Sequence, residues 1–305
     1  MRRREFLLAA SGAALSTGLY GCDRPGSVAV SNTLVNIGLQ LSTVTPLMMK
    51  DFEGTLARVA EIGYDQVEFS AMGFLGRPSD YVKQLLAANN LSAPVGRITP
   101  KLPDGVMQMS REEAMKVFME RGAAKHLVEN VKYSLEGAAA LGQKYLNLPA
   151  LIPEEFNSLD QVKRNIEMMN QAGEVCAEAG VLFGYHNHNW ELLPVDGVVP
   201  YELMLSETDP DKVGFQMDAY WIVKGGGDLH DYLTRHAGRF SSCHMKDIDA
   251  NGDFADVGDG EIDFPAFTRH AIAQGARHFF VERDNPPEPE KSIVRSYAYL
   301  SEMTF

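Results

Sequence analysis

Residues 213–247 read VGFQMDAYWIVKGGGDLHDYLTRHAGRFSSCHMKD, and this stretch decides the fold. The apolar run at its start predicts a strand over residues 213–221. The segment that opens at Asp228 predicts a helix over residues 228–236, and a second apolar run predicts a strand over residues 240–246. Two strands joined by a helix form the unit from which parallel sheets are built.

The same alternation continues on both sides of this unit, from residue 35 onward. The other predicted strands occupy residues 36–42, 66–70, 92–98, 144–148, 181–188 and 278–283. The other predicted helices occupy residues 51–62, 79–89, 111–141, 158–179, 201–207, 264–274 and 291–303. Eight strand–helix repeats predict an α/β fold, a single (β/α)8 TIM barrel. A doubly wound sheet is the rival, and it lacks support because no GxGxxG motif follows the first strand.

The N-terminal segment, residues 1–22, has the pattern of an export signal. A basic head precedes a short apolar run, and residues 3–7, Arg-Arg-Glu-Phe-Leu, resemble a twin-arginine signal. Residues 19–22, Leu-Tyr-Gly-Cys, resemble a lipobox in which Cys22 would carry a lipid anchor. An N-terminal helix of the barrel is the alternative. We expect a signal peptide at 1–22, a linker at 23–34, the barrel at 35–305, and a periplasmic location, either free or as a membrane-anchored lipoprotein.

Charge and cysteine content exclude several classes of function. The 305 residues carry a formal net charge of −13 at pH 7, which argues against nucleic acid or an anionic membrane as a partner. The 3 cysteines form no CxxC pair, so neither a zinc ribbon nor a thioredoxin-like motif is indicated.

Polar residues follow the predicted strands at their C-terminal ends, where the active sites of TIM barrels lie. Four successive strands end in a group that can bind a metal, namely His186, Asp218, His244 and Glu282. Two imidazoles and two carboxylates favour Mn, Co, Zn or Fe over Ca or Mg. We therefore expect one divalent metal ion at the mouth of the barrel.

Other polar and aromatic residues at the strand ends are candidates for contact with a substrate. The candidates for substrate binding are Glu68, Arg97, Asn147, Trp190 and Trp221. The candidates for catalysis are Glu282, His188 and Lys246. Structural alternatives stay open for several of them: Glu68 could cap a loop, Lys246 could pair outward, and the two tryptophans could simply pack.

Four short motifs stand out at the strand ends. They are residues 214–218 (GFQMD), 243–247 (CHMKD), 257–264 (VGDGEIDF) and 280–282 (FVE). They resemble the xylose-isomerase-like barrel family, which includes sugar isomerases, ketose 3-epimerases, inosose-processing enzymes and endonuclease IV, and the resemblance covers about residues 35–303. Family epimerases hold their metal with Glu, Asp, His and Glu on the last four strands, which implies Asp218, His244 and Glu282 here. At the fifth strand His186 stands where the family has Glu.

The resemblance implies a metal-dependent isomerase or epimerase that acts on a sugar through an enediolate, with Glu282 as the first base. A metal-bound His186 cannot also be a general base, so His188 or Lys246 is the candidate for the second proton transfer. Two alternatives stay open: a lyase or hydratase acting on 3-keto-glycosides at the same metal site, and a non-catalytic sugar-binding protein. All three hypotheses imply a small carbohydrate as the binding partner. Whether the protein forms a homo-oligomer is left open. Endonuclease activity is disfavoured because the chain is acidic.

Overall fold

Eight parallel strands form a barrel in the computed structural model, which describes residues 32–305. The barrel strands are β1 (Gly38–Gln40), β2 (Gln66–Glu68), β3 (Val95–Arg97), β4 (Tyr145–Leu148), β5 (Leu182–His186), β6 (Val213–Asp218), β7 (Phe240–Met245) and β10 (His278–Val281). Two short strands outside the barrel are β8 (Asp247–Ile248) and β9 (Phe254–Ala255). Neighbouring barrel strands follow the order β2-β1-β10-β7-β6-β5-β4-β3, while β8 and β9 form an antiparallel hairpin. At the remaining seam, between β2 and β3, Gln66 and Ser92 form a parallel bridge. The predicted single (β/α)8 TIM barrel is confirmed.

The helices surround the barrel and follow the strands along the chain. They are α1 (Thr45–Lys50), α2 (Phe52–Ile62), α3 (Ser79–Ala88), α4 (Arg111–Gly122), α5 (Leu127–Leu141), α6 (Leu159–Glu178), α7 (Pro200–Glu207), α8 (Ala219–Lys224), α9 (Leu229–Arg235), α10 (Phe264–Ala273) and α11 (Pro289–Glu302). Apolar side chains at helical spacing face the barrel, as Val162, Ile166 and Met169 do in α6. Within residues 32–305, none of these helices combines the length and the apolarity needed to span a bilayer.

Part of the sequence-based prediction falls on residues without a structural description. The export signal, the lipobox cysteine Cys22 and most of the linker at 23–34 lie outside residues 32–305.

The helix predicted over residues 111–141 is two helices, α4 and α5, separated by an extended residue and a 3-10 turn, Ala124–His126. Asn130 explains the break, because its Nδ2 donates to the carbonyl of Arg121 (2.7 Å) and its Oδ1 accepts from the N–H of Lys101 (2.9 Å). The first bond satisfies a carbonyl that a continuous helix would have paired internally, and the second ties the break to the loop that precedes α4.

Two predicted strands end earlier than their apolar runs suggest, and both ends matter for the site. The sixth strand stops at Asp218, whose side chain caps α8 by accepting from the N–H of Trp221, so Tyr220 and Trp221 lie on a helix. The fifth strand stops at His186, and His188 lies in the loop that follows. Alternation along a strand therefore does not determine where the aromatic residues point.

The barrel interior is polar near its mouth, because each strand alternates apolar and polar residues. In β6, Phe215 and Met217 pack in the apolar core between strands and helices, whereas the alternate residues Gln216 and Asp218 are buried polar residues. Such buried polar groups require hydrogen bonds, ion pairs or a bound ion.

Candidate metal centre

Four polar side chains meet inside the mouth of the barrel, at the ends of four neighbouring strands. They are His186 at the end of β5, Asp218 at the end of β6, His244 in β7 and Glu282 directly after β10. All are buried, and one potential ligand atom from each lies within 4.8 Å of the others. We call them the four-residue centre. The structure thus brings together the four residues that the sequence predicts as metal ligands.

Short distances join the inner atoms of the four-residue centre. His186 Nε2 lies 3.3 Å from Asp218 Oδ2 and 3.1 Å from His244 Nδ1. His244 Nδ1 lies 2.8 Å from Glu282 Oε2. These atoms therefore surround one common point.

The outer nitrogen of each histidine faces an oxygen acceptor. His186 Nδ1 lies 3.0 Å from the carbonyl oxygen of Pro149, and His244 Nε2 lies 2.6 Å from Glu68 Oε2. Since these oxygens accept hydrogen bonds, the outer nitrogens carry protons. The inner nitrogen of neutral His186 then offers a lone pair, and the inner nitrogen of His244 offers one once a cation displaces the proton that Glu282 attracts there. Two lone pairs and two carboxylates can then converge on one point, an arrangement that a bound cation stabilises. This donor set fits one divalent transition-metal ion.

The pKa values at the centre reflect the same excess of negative charge. Burial lowers the pKa of His244, but the carboxylates of Glu282 and Glu68 outweigh burial and raise that pKa to about 9. Burial raises the pKa of Asp218 to about 6. Burial also holds the pKa of His186 well below its ordinary value, so this ring is neutral and its nitrogen can bind a metal.

Lys246 is a buried amine beside the four-residue centre. Its Nζ lies 3.0 Å from Glu282 Oε2, 2.9 Å from Asp284 Oδ2 and 5.1 Å from the centroid of the Trp221 ring. Burial lowers the pKa of Lys246, but the surrounding carboxylates outweigh burial and raise it above its ordinary value. Burial acts to raise the pKa of Glu282, yet Lys246 and its neighbours lower it well below the ordinary value. Lys246 is therefore charged and Glu282 ionised near neutral pH.

Three aromatic rings form a wall next to the centre, which we call the aromatic wall: His188, Trp190 and Trp221. The His188 ring stacks on Trp190 with centroids 4.3 Å apart, and it lies 5.2 Å from Trp221. Burial holds the pKa of His188 well below its ordinary value, so the imidazole is neutral. Within the described part of the chain, His188 Nδ1 and Trp221 Nε1 are buried without a hydrogen-bond partner. Trp190 Nε1, in contrast, donates to the carbonyl of Leu151 (3.0 Å).

The other predicted substrate residues are buried within the barrel. Glu68 and Arg97 are buried on the outer side of His244, where Arg97 Nε lies 3.2 Å from Glu68 Oε1. Asn147 is fully buried in β4, and its carboxamide occupies the space that Gly184 leaves by having no Cβ. Within residues 32–305, neither polar atom of the Asn147 side chain has a hydrogen-bond partner.

Three further residues near the site were not predicted to have a role there. Ser42 donates to Glu282 Oε1 (2.8 Å), and Asn187 Oδ1 accepts from the backbone N–H of Asp218 (3.0 Å). Glu191 is buried and accepts from the His188 N–H (3.0 Å) and from a tyrosine hydroxyl. Asn187 lies near the end of the strand predicted over residues 181–188 and Glu191 follows that strand, and this position is the signal that could have found them. Ser42 sits at the end of the first predicted strand, the same kind of position.

Comparison with known sequences identifies relatives of the whole barrel. A profile described as "Xylose isomerase-like TIM barrel" matches residues 56–303. The inosose dehydratase of Geobacillus thermodenitrificans is 26% identical over 280 residues, which cover 79% of this chain and 90% of that protein. The rhizopine catabolism protein MocC of Rhizobium meliloti is 23% identical over 297 residues, which cover 88% and 87% of the two chains.

Comparison with solved structures agrees with the sequence comparison. A sugar phosphate isomerase/epimerase from Parabacteroides distasonis superposes with a TM-score of 0.72 and 26% identity, covering 92% of this chain and 98% of that chain. The fold is therefore shared with these relatives over most of the chain.

Proposed function

The chain belongs to the xylose isomerase-like TIM barrel family, and on this premise we propose that it is a divalent-metal-dependent lyase or dehydratase. The proposed substrate is a keto sugar, a 3-keto-glycoside or a cyclic keto polyol, from which the enzyme removes water or an alcohol β to the carbonyl. At a coarser level the chain is an enzyme of the sugar isomerase, epimerase and dehydratase superfamily.

The observation that carries the choice of reaction is the engagement of both nitrogens of His186. Its Nδ1 is bonded to the carbonyl of Pro149, and its Nε2 faces the four-residue centre. His186 therefore has no nitrogen left to move a proton, although an epimerase of the two-glutamate type has a base at this strand. Glu282 remains as the carboxylate base, and a β-elimination needs only one. Inosose dehydratases among the relatives support the same choice.

His186, Asp218, His244 and Glu282 would hold the metal. When bound, a divalent cation supplies Lewis-acid polarisation of the substrate carbonyl at these residues.

Glu282 performs the proton transfers in the proposed reaction. Its ionised carboxylate removes the proton from the carbon next to the substrate carbonyl, and the electron pair of that C–H bond forms the new double bond. The C–O bond on the adjacent carbon breaks, and the protonated Glu282 returns its proton to the departing oxygen. Water or an alcohol leaves, and Glu282 is a carboxylate again.

Lys246 and the aromatic wall bind and orient the substrate in this proposal. The Lys246 ammonium, 3.0 Å from Glu282 Oε2, stabilises negative charge that develops on a substrate oxygen. The face of Trp221 can pack on the C–H groups of a sugar ring, and its Nε1, which has no hydrogen-bond partner among residues 32–305, can donate to a hydroxyl. Replacing Trp221 with Phe should therefore raise KM more than it lowers kcat.

Epimerisation is the second candidate, and His188 favours it. This neutral imidazole lies with its ring centroid 5.0 Å from that of His186 and has an unpartnered Nδ1 within the described residues. It could return a proton to the opposite face of the carbon that Glu282 deprotonates.

One experiment tests the proposal and separates the two reactions. Metal-loaded protein is incubated in deuterium oxide with 3-keto-glucosides and with an inosose, and the products are followed by mass spectrometry. Elimination yields a dehydrated product or a released aglycone, whereas epimerisation yields an isomer that carries solvent deuterium. Binding without either product would support the sugar-binding alternative and refute the proposed lyase. Glu282→Gln is the matched control for turnover.

We further propose that residues 1–22 direct export by the twin-arginine route and that Cys22 anchors the protein to a membrane. The support is the sequence pattern alone. Replacing Arg3 and Arg4 with Lys should retain the protein in the cytoplasm, and Cys22→Ser should release the exported protein from membranes.

A further inference from the structure

Glu68 is a fully buried carboxylate that is surrounded by nitrogen donors. Gln40 Nε2 lies 2.8 Å and His244 Nε2 lies 2.6 Å from its Oε2, while Gln216 Nε2 and Arg97 Nε each lie 3.2 Å from its Oε1. With 0% of its surface exposed, Glu68 is closed off from solvent on every side. Its contacts therefore point to the histidine of the centre and not to a substrate hydroxyl.

Two neighbours of His244 Nε2 favour opposite tautomers of its ring. Glu68 accepts, so it favours a proton on Nε2 and leaves the lone pair on Nδ1. Arg97 Nη2 lies 3.3 Å from the same Nε2 and can only donate, so it favours the lone pair on Nε2 and a proton on Nδ1. A proton on Nδ1 would point at Glu282 and Asp218 and would block ligation by this ring. The 2.6 Å contact to Glu68 is shorter than the Arg97 contact and shorter than the 2.8 Å contact of Nδ1 with Glu282 Oε2, and it favours the tautomer that can ligate.

We propose that Glu68 is the positioning residue that sets the tautomer of His244 and thereby determines how tightly the four-residue centre holds a divalent cation. Carboxylate–histidine–metal arrangements of this kind fix the ring and raise the basicity of the ligating nitrogen. The inference rests on the metal dependence of the proposed function. The Arg97 guanidinium balances the buried charge of Glu68. In a variant without Glu68, Arg97 would remain beside His244 Nε2 and would favour the tautomer that cannot bind the metal.

The test measures affinity for Mn²⁺ and the tautomer of His244 in the full chain after metal stripping. Mn²⁺ binding is titrated against a competing chelator. Long-range ¹H–¹⁵N spectra of histidine-labelled protein, recorded above pH 9 where the His244 ring is neutral, report which ring nitrogen carries the proton. Glu68→Ala should weaken Mn²⁺ binding by about 10- to 100-fold and shift the proton of His244 to Nδ1. Glu68→Gln keeps a neutral acceptor and should fall between wild type and Glu68→Ala. Adding Arg97→Met to Glu68→Ala should recover part of the loss, because the competing donor is gone.

Glu202→Gln provides a matched control on the outside of the barrel. Glu202 also pairs with an arginine and a histidine, Arg235 at 2.7 Å and His236 at 3.0 Å, and its replacement should leave Mn²⁺ affinity unchanged. Unchanged affinity and an unchanged tautomer in folded Glu68→Ala or Glu68→Gln would overturn this inference alone. Wild-type protein that takes up no divalent cation would overturn the metal dependence of the proposed function, while the tautomer measurement would still test the role of Glu68.

Discussion

Asp218 Oδ1 accepts a hydrogen bond of 3.0 Å from the backbone N–H of Trp221, while Oδ2 of the same carboxylate lies 3.3 Å from His186 Nε2. One side chain therefore caps the helix that carries an aromatic ring of the site and also belongs to the four-residue centre. The capping role and the metal-binding role of Asp218 can be separated by substitution, because an amide oxygen can still cap a helix.

Asp218→Asn and Asp218→Ala should differ in stability but not in metal binding. Asn is as good an N-cap as Asp, whereas Ala loses about 1 kcal/mol of helix capping. Both variants lack the charge and should bind Mn²⁺ at least about tenfold more weakly. Urea unfolding and chelator competition provide the two measurements. Wild-type Mn²⁺ affinity in Asp218→Asn would contradict the assignment of Asp218 to the centre.

Glu282→Gln should lower kcat by about 100-fold or more, because the amide cannot accept the proton from carbon. The metal content of the variant has to be measured alongside kcat, since Glu282 belongs to the centre as well. Ser42→Ala removes only the hydroxyl that donates to Glu282 Oε1 and should have a much smaller effect. Full turnover by metal-loaded Glu282→Gln would exclude Glu282 as the base.

Metal removal should lower thermal stability as well as activity. A cation that binds only the folded state at about 1,000 times its Kd adds about 4 kcal/mol to the free energy of unfolding. The melting temperature of stripped protein should rise when Mn, Co, Zn or Fe is added back, and Asp218→Asn should show a smaller rise. An identical melting curve with and without metal would argue against a cation at the four-residue centre.

Glu191 should make stability depend on pH. Burial raises its pKa from 4.5 to about 8, so between these values the folded state binds a proton that the unfolded state lacks. The free energy of unfolding should therefore fall as pH rises through this window, by at most about 1.4 kcal/mol per pH unit. Glu191→Gln has no titratable group at this position. The difference in free energy of unfolding between wild type and variant, measured by urea unfolding at several pH values, therefore reports the contribution of Glu191. Parallel stability curves for the two proteins would show that Glu191 does not titrate in this range.

Asp247→Asn should destabilise the loop after β7. The Asp247 carboxylate is fully buried and accepts backbone N–H groups of Ile248, Gly258, Gly260 and Ile262 at 2.9 to 3.2 Å. An amide offers one oxygen and places N–H groups against the others, so we expect a loss of about 2–4 kcal/mol. Asp253→Asn, at an exposed position of the same loop, is the control. Equal urea midpoints for the two variants would refute this account.

The sequence allowed the barrel and the four-residue centre to be predicted for the same reason. Parallel strands joined by helices place all their C-terminal ends at one mouth, so polar groups that end successive strands must meet there. His186, Asp218, His244 and Glu282 could therefore be grouped without knowing any distance. The end of the sixth strand could not be placed, because the cap that Asp218 forms competes with the strand and leaves no trace in the apolar pattern.

The sequence by itself determined the repeating strand–helix order, the strand ends that carry chemistry and the residue types available there, since these depend on periodicity along the chain. Only the tertiary structure decided what each side chain contacts. Glu68 and Arg97 end neighbouring strands, and Asn147 lies one residue before the end of the next strand. Closure of the barrel brings the first two to His244 and leaves the side-chain amide of Asn147 without a partner among the described residues. Which nitrogen of a histidine keeps its lone pair depends on such contacts across the barrel, and they join residues as far apart in sequence as Glu68 and His244.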